Sequence, residues 1–272
     1  MGFQEFLDDI PLLLLFLLSI VLLIIFIEAG FWVAQRPKRK PNKAQMAQVR
    51  AIMGASLGLL AFMLAFSFSM AQRHYESRTD AYLLEISAVD SAYRGADLLG
   101  PERQQAVKQL LRDFVALRRA TSNALEADDF ESVVKKIRMA EKIHDQLWSV
   151  AESSMAQGDS IDASIFVNAI LAMVKANDER LQATVFNRIS PIIWTTLFVM
   201  SMLSMIIMGF QAGLTGTHSR LATWTLAITF SAVMMLVTDL DRPRMSLFKM
   251  NEQLMVELQN RMNPTPVIVD DL

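Results

Sequence analysis

Residues 12–27 of this chain, LLLLFLLSIVLLIIFI, form the apolar run that decides the class of fold. The block around them extends from Ile10 to Ala34. A bilayer core of about 30 Å needs about 20 apolar residues in helical conformation, so the block is long enough to cross it. Acidic residues precede the block and no small-residue cleavage site follows it, which favours a retained membrane helix over a signal peptide. The sequence therefore predicts a first membrane span at residues 10–34.

Three more apolar blocks follow later in the chain, at residues 52–71, 192–212 and 221–237. The second of these begins after Pro191, a residue that suits the first turn of a helix. The four spans pair into a first hairpin at 10–71 and a second hairpin at 191–239. This division leaves residues 72–190 as a hydrophilic insert and residues 240–272 as a tail.

The insert has no long apolar run, and its apolar residues recur at helical spacing throughout. No Gly or Pro lies between Leu59 and Arg94, so we expect span two to continue beyond the membrane as one long helix. Three further amphipathic helices complete the insert, and we expect the last of them to run into Pro191 and span three. The predicted fold class is therefore all-α: a multi-pass membrane protein with four transmembrane helices and a helical-bundle soluble insert between spans two and three.

The composition excludes several classes of function. Of the 272 residues, 53% are hydrophobic and 20% are charged, with a formal net charge of −2 and no Cys. A near-neutral balance argues against a nucleic-acid partner, which would require a basic face. The lack of Cys excludes disulfides, thiolate zinc sites, iron–sulfur clusters and cysteine nucleophiles.

No catalytic constellation is apparent. The three histidines lie on separate predicted elements, and the chain contains no H-E-x-x-H, G-x-S-x-G, P-loop or dinucleotide-binding motif. We therefore predict no enzyme activity, no metal site and no cofactor.

The distribution of Lys and Arg in short loops predicts the orientation. Cytoplasmic loops carry an excess of Lys and Arg, and the loop after span one is basic whereas the segment before span one has none. In the cell (inner) membrane, this places both hairpin loops in the cytoplasm. Both termini and the insert then lie on the extracytoplasmic side. Arginines that flank the other span ends point the opposite way. The residues of the basic loop are Arg36, Lys38, Arg39, Lys40, Lys43 and Arg50, and the opposing arginines are Arg73, Arg78, Arg180, Arg188, Arg242 and Arg244.

Span two carries two features that indicate a function. Gly54-x-x-x-Gly58 begins a series of small residues, which lets another helix approach closely, either within one subunit or between subunits. Phe62 and Phe66 are one helical turn apart. They either face lipid or, around a symmetry axis, form a hydrophobic constriction that gates by dewetting. The periodicity alone does not distinguish these alternatives.

Two groups of charged residues lie near the ends of the spans. Asp239, Asp241 and Arg242 follow span four; in an oligomer they would form a ring of charge at a pore mouth, or else they pair locally. Glu85 with Asp90 and Arg94 forms a possible polar network beyond span two. Asp90 and Arg94 alone have the spacing of a surface ion pair on a helix.

Three stretches together resemble a known family, the bestrophin-like membrane proteins of bacteria. They are residues 58–74 (GLLAFMLAFSFSMAQRH), Glu85 with residues 92–99 (AYRGADLL), and residues 240–243 (LDRP). The resemblance covers nearly the whole chain, because the spans, insert and tail follow in the same order.

The resemblance implies kinship with bestrophins, which are oligomeric anion channels with four membrane helices per subunit. Bestrophins line a narrow neck with hydrophobic residues of the second span, and Phe62 and Phe66 are the matching positions. A counterpart of their calcium-sensing acidic cluster is missing, so calcium gating is not implied. Bestrophins keep their termini and soluble mass in the cytoplasm, opposite to the orientation that the charges predict here.

The expected function is a passive, homo-oligomeric ion channel whose pore is lined by span two, with the lipid bilayer and inorganic ions as partners. The resemblance implies anions, whereas Asp239 and Asp241 would favour cations if they ring the mouth, so selectivity stays open. The alternative is a non-conducting membrane sensor or interaction protein that acts through the insert. A membrane enzyme is disfavoured by the missing catalytic residues.

Overall fold

A computed structural model describes residues 10–36, 42–126, 130–156, 161–185, 187–216, 219–242 and 253–263. Within them the regular elements are α1 (Leu12–Gln35), α2 (Lys43–Gly95), a short 3₁₀ helix (Ala96–Leu98), α3 (Pro101–Glu126), α4 (Phe130–Ala156), α5 (Ile161–Val185), α6 (Pro191–Thr215), α7 (Arg220–Asp241) and α8 (Gln253–Met262). Helices α1, α2, α6 and α7 are long and apolar enough to cross a membrane. The predicted all-α membrane fold is confirmed. Lys38, Arg39, Lys40, Pro243 and Arg244 lie outside the described residues.

The chain divides into two compact units. We call Met1–Tyr75 with Arg188–Leu247 the membrane unit, and Glu76–Asn187 with Phe248–Leu272 the insert unit. Helix α2 contributes to both units as one continuous helix. The hairpins at 10–71 and 191–239, the insert at 72–190 and the tail at 240–272 remain predictions as functional divisions of the chain.

In the membrane unit, α1 packs directly against α6 through glycines. A Cβ atom on Gly209 would lie 1.8 Å from the carbonyl oxygen of Ile27, and one on Gly30 would lie 2.0 Å from that of Ile206. A Cβ on Gly213 would lie 2.5 Å from the Cβ of Ala34. Only glycine lets the two backbones approach this closely, as is common between membrane helices.

The insert unit has its own apolar core, built by α2 to α5 and joined by α8. Met255, Leu258 and Met262 of α8 are buried in this core. The end of α8 is held by the Tyr93 hydroxyl and the Arg112 Nε, which donate hydrogen bonds of 3.0 and 2.9 Å to the carbonyl oxygen of Met262. The core therefore includes a helix from the tail as well as the helices of the insert.

One expectation about the continuity of the helices is wrong. The last insert helix does not run into span three: α5 ends at Val185, residues 187–190 are not helical, and α6 begins at Pro191. A residue before proline is disfavoured in helical conformation, which accounts for a non-helical Ser190 directly before α6. Ser190 instead caps α6, with its Oγ accepting a hydrogen bond of 3.4 Å from the backbone N–H of Ile192.

Candidate functional site

The membrane part of α2 has one face that the described residues of the chain do not cover. Residues on this face recur every three or four positions, as one side of an α-helix requires, and all of them are exposed. The opposite face, which includes Leu60, Leu64, Ser67 and Ala71, is buried in the core of the membrane unit. We call one set of exposed residues at this spacing the α2 stripe; it consists of Ala51, Ala55, Gly58, Phe62, Phe66, Ser69 and Arg73. Other exposed residues, among them Ile52, Leu59, Ala61 and Ala65, lie beside it.

The two predicted constriction residues lie on the α2 stripe. The side chain of Phe62 is 66% exposed and that of Phe66 is 44% exposed. A Cβ atom on Gly58, or on Gly54 at the edge of the stripe, would meet no atom within 4 Å. Among the described residues, therefore, no other helix uses the Gly54-x-x-x-Gly58 motif for close packing.

The exposed surface of α1 has a different chemistry. It presents large aliphatic side chains, among them Leu13, Leu17, Val21 and Ile25. Such side chains suit contact with lipid tails, whereas small residues suit the close approach of another helix. The α2 stripe therefore differs from a purely lipid-facing surface.

Asp241 is a buried connection point in the membrane unit. The residue is 3% exposed, and its carboxylate accepts a hydrogen bond of 2.8 Å from the backbone N–H of Ile189 and one of 3.4 Å from the Trp194 indole N–H. His74 Nδ1 lies 3.8 Å from Asp241 Oδ1. The carboxylate thus joins the end of α7 to α2, to the segment before α6 and to α6 itself.

Its two predicted partners in a charge ring are also buried. Asp239 and Arg242 are almost fully inaccessible in the single chain. Arg242 Nη1 donates a hydrogen bond of 2.9 Å to the carbonyl oxygen of Ile10, just before α1. This geometry favours local pairing over an exposed ring of charge.

The predicted polar network in the insert divides into two groups. Glu85 is completely buried and forms ion pairs with Arg118, at 2.8 Å, and with Arg180. Asp90 lies on another side of α2, since five residues turn a helix by about 140°. It pairs with Arg94 at 3.1 Å and lies 3.9 Å from Arg261.

Sequence reasoning missed Arg118 and Arg180 as partners of Glu85. The signal was present, because each of the three charges occupies a position on an otherwise apolar stripe. Arg118 follows Val107, Leu111 and Phe114 at helical spacing. A charge at a core position needs a partner of opposite charge, and this requirement connects Glu85 on α2 with Arg118 on α3 and Arg180 on α5.

In the part of the chain that the structure describes, no three His, Asp or Glu side chains converge as a metal site requires.

The sequence matches the family model for the bestrophin-like domain over residues 21–243. The chain belongs to the bestrophin-like family. No curated protein sequence matches it significantly.

The fold of this bestrophin-like chain is similar to crystal structures of a bacterial bestrophin homologue from Klebsiella pneumoniae. A mutant of that protein aligns with a TM-score of 0.61 and 14% identity, covering 93% of this chain and 99% of the other. A second structure, phased with zinc, aligns with a TM-score of 0.59 and 14% identity, covering 93% and 97%. At this identity the likeness shows a shared fold.

Proposed function

We propose that this bestrophin-like protein is a homo-oligomeric ion channel in which the α2 stripe of each subunit faces a common pore. The observation that carries the proposal is the stripe itself: small residues and two phenylalanines on a membrane helix, uncovered by their own chain. Symmetric association would bring copies of this face together. Family membership and the bestrophin fold support the same reading.

Phe62 and Phe66 would form the constriction of such a pore. A ring of aromatic side chains narrows the passage and repels water, so that a closed pore dewets. Gly58 and Ala55, on the same face, leave space beside the ring or allow subunits to approach. Asp239 and Asp241 are buried within one chain and give no support to a cation-attracting mouth.

Ion flux in liposomes tests the proposal directly. Purified protein reconstituted into vesicles should dissipate a KCl gradient faster than protein-free vesicles do. The reversal potential in an asymmetric gradient then identifies anions or cations as the permeant species.

An absence of flux at every potential and ionic condition, with correctly inserted protein, would contradict the channel. It would leave the alternative of a non-conducting interaction protein that acts through the insert. We propose no enzymatic activity in either case.

We propose that the protein lies in the inner membrane with the insert on the extracytoplasmic side, as the basic loop after α1 indicates. The chain has no Cys, so a single introduced cysteine reports one position. In spheroplasts, Gln146→Cys in α4 should react with a membrane-impermeant maleimide. Ala44→Cys, at the start of α2, is the matched control and should react only after membrane disruption. The reverse pattern would establish the opposite orientation.

A further inference from the structure

The core of the insert unit contains more buried positive than negative charge. Glu85 on α2 is the carboxylate that two guanidiniums share, Arg118 from α3 and Arg180 from α5. The Arg118 side chain is 8% exposed, and that of Glu85 is completely buried. Arg118 and Arg180 also lie over the rings of Phe114 and Tyr82, at 6.0 and 4.9 Å. Both oxygens of Glu85 are therefore already engaged by cations.

His144 of α4 lies beside this cluster. Its ring centroid is 5.1 Å from that of Phe114. Its Nε2 atom is buried and, among the described residues, has no hydrogen-bond partner. The imidazole thus packs against Phe114 of α3 with its Nε2 atom shielded from water.

The surroundings of His144 disfavour its charged form. Burial lowers the pKa of His144 most, and the positive charge of Arg118 lowers it further. Three carboxylates oppose this effect: Glu85 on α2, Asp178 on α5 and Asp145 on α4 itself. The net direction is a lowered pKa, because burial and the charge of Arg118 outweigh these three carboxylates.

We propose that the insert unit is an acid-sensitive switch, in which protonation of His144 loosens the packing of α4 against α3. The added charge would enter a partly buried site on the same Phe114 ring that Arg118 covers, where each oxygen of Glu85 already forms an ion pair with an arginine. Separation of α4 from α3 exposes the imidazolium to water and relieves the repulsion. This inference concerns the insert unit and does not depend on ion conduction.

The sign of the pH effect follows from linkage. The pKa of His144 in the folded protein is below the value of about 6.5 in an unfolded chain. The stabilisation from neutral His144 is therefore present above about pH 6.5 and is lost as the pH falls through the folded-state pKa.

Hydrogen exchange of the full-length protein in detergent tests the switch. We expect the protection of α4 amides, corrected for the intrinsic pH dependence of exchange, to fall at least about threefold between pH 8 and pH 5.5. In His144→Leu, which keeps an apolar side chain against Phe114, this fall should disappear. His74→Gln in the membrane unit is the control, and α4 should respond in it as in the wild type.

A merely structural role for His144 would lower protection in the variant equally at both pH values. That result, or an unchanged pH response in His144→Leu, would overturn the switch. If His144→Leu does not fold, His144→Gln provides the same comparison, because its side chain is also uncharged at both pH values.

Discussion

Gly209→Ala is expected to destabilise the membrane unit severely. The new Cβ would lie 1.8 Å from the carbonyl oxygen of Ile27, which is a backbone atom that no rotamer change can move. Overpacking costs about 1–3 kcal/mol where side chains can shift to relieve it. Here the clash is with backbone, so α1 and α6 must move apart. We expect a loss of about 3 kcal/mol or more. Thermal unfolding in detergent should show this as a melting temperature lower by roughly 6–12 °C.

Gly54→Ala is the matched control for Gly209→Ala. Both changes replace a helical glycine by alanine, and this replacement by itself stabilises the helix by about 1 kcal/mol. Gly54 has no atom within 4 Å of the new Cβ, so this variant should be at least as stable as the wild type. Equal melting temperatures for the two variants would contradict the close packing of α1 on α6.

The double variant Phe62→Ala with Phe66→Ala is expected to increase ion flux. Alanine removes the two aromatic rings that would narrow and dewet the proposed pore. A barrier lower by about 1.4 kcal/mol raises the rate tenfold, and we expect an increase of at least about this size. The measurement is the rate of gradient dissipation in liposomes at equal protein content.

Leu17→Ala on α1 is the control for this pair. Leu17 is also an exposed apolar residue of a membrane helix, but it does not belong to the α2 stripe. Its flux should equal that of the wild type. If the phenylalanine variant is folded and inserted but conducts like the wild type, the two residues face lipid and another segment controls the pore.

The fold was largely predictable because its determinants are local. Apolar runs of about 20 residues define membrane helices whatever they pack against. The absence of Gly and Pro after Leu59 predicted the continuous helix α2, which the structure contains. The expected continuity between the insert and span three failed, because residues 187–190 are not helical and a new helix begins at Pro191.

The pairing of the elements was less predictable, because several segments carry the same signal. Gly209-x-x-x-Gly213 and Gly54-x-x-x-Gly58 have identical spacing, yet in the part of the chain that the structure describes only the first packs closely against another helix. The contact between Asp241 and the backbone of Ile189 links positions far apart in sequence. Every residue except proline carries a backbone N–H, so no sequence pattern could single out this donor.

The glycine contact between α1 and α6 has a consequence for biosynthesis. Helix α1 leaves the ribosome early, but its partner begins only at Pro191. At typical translation rates of roughly 5–20 residues per second, the intervening chain takes about 10–30 s to make. During that interval the groove at Gly30 is open to lipid or to a wrong helix. A chain that ends before α6 therefore lacks the helix that packs at Gly30 and cannot complete the core of the membrane unit.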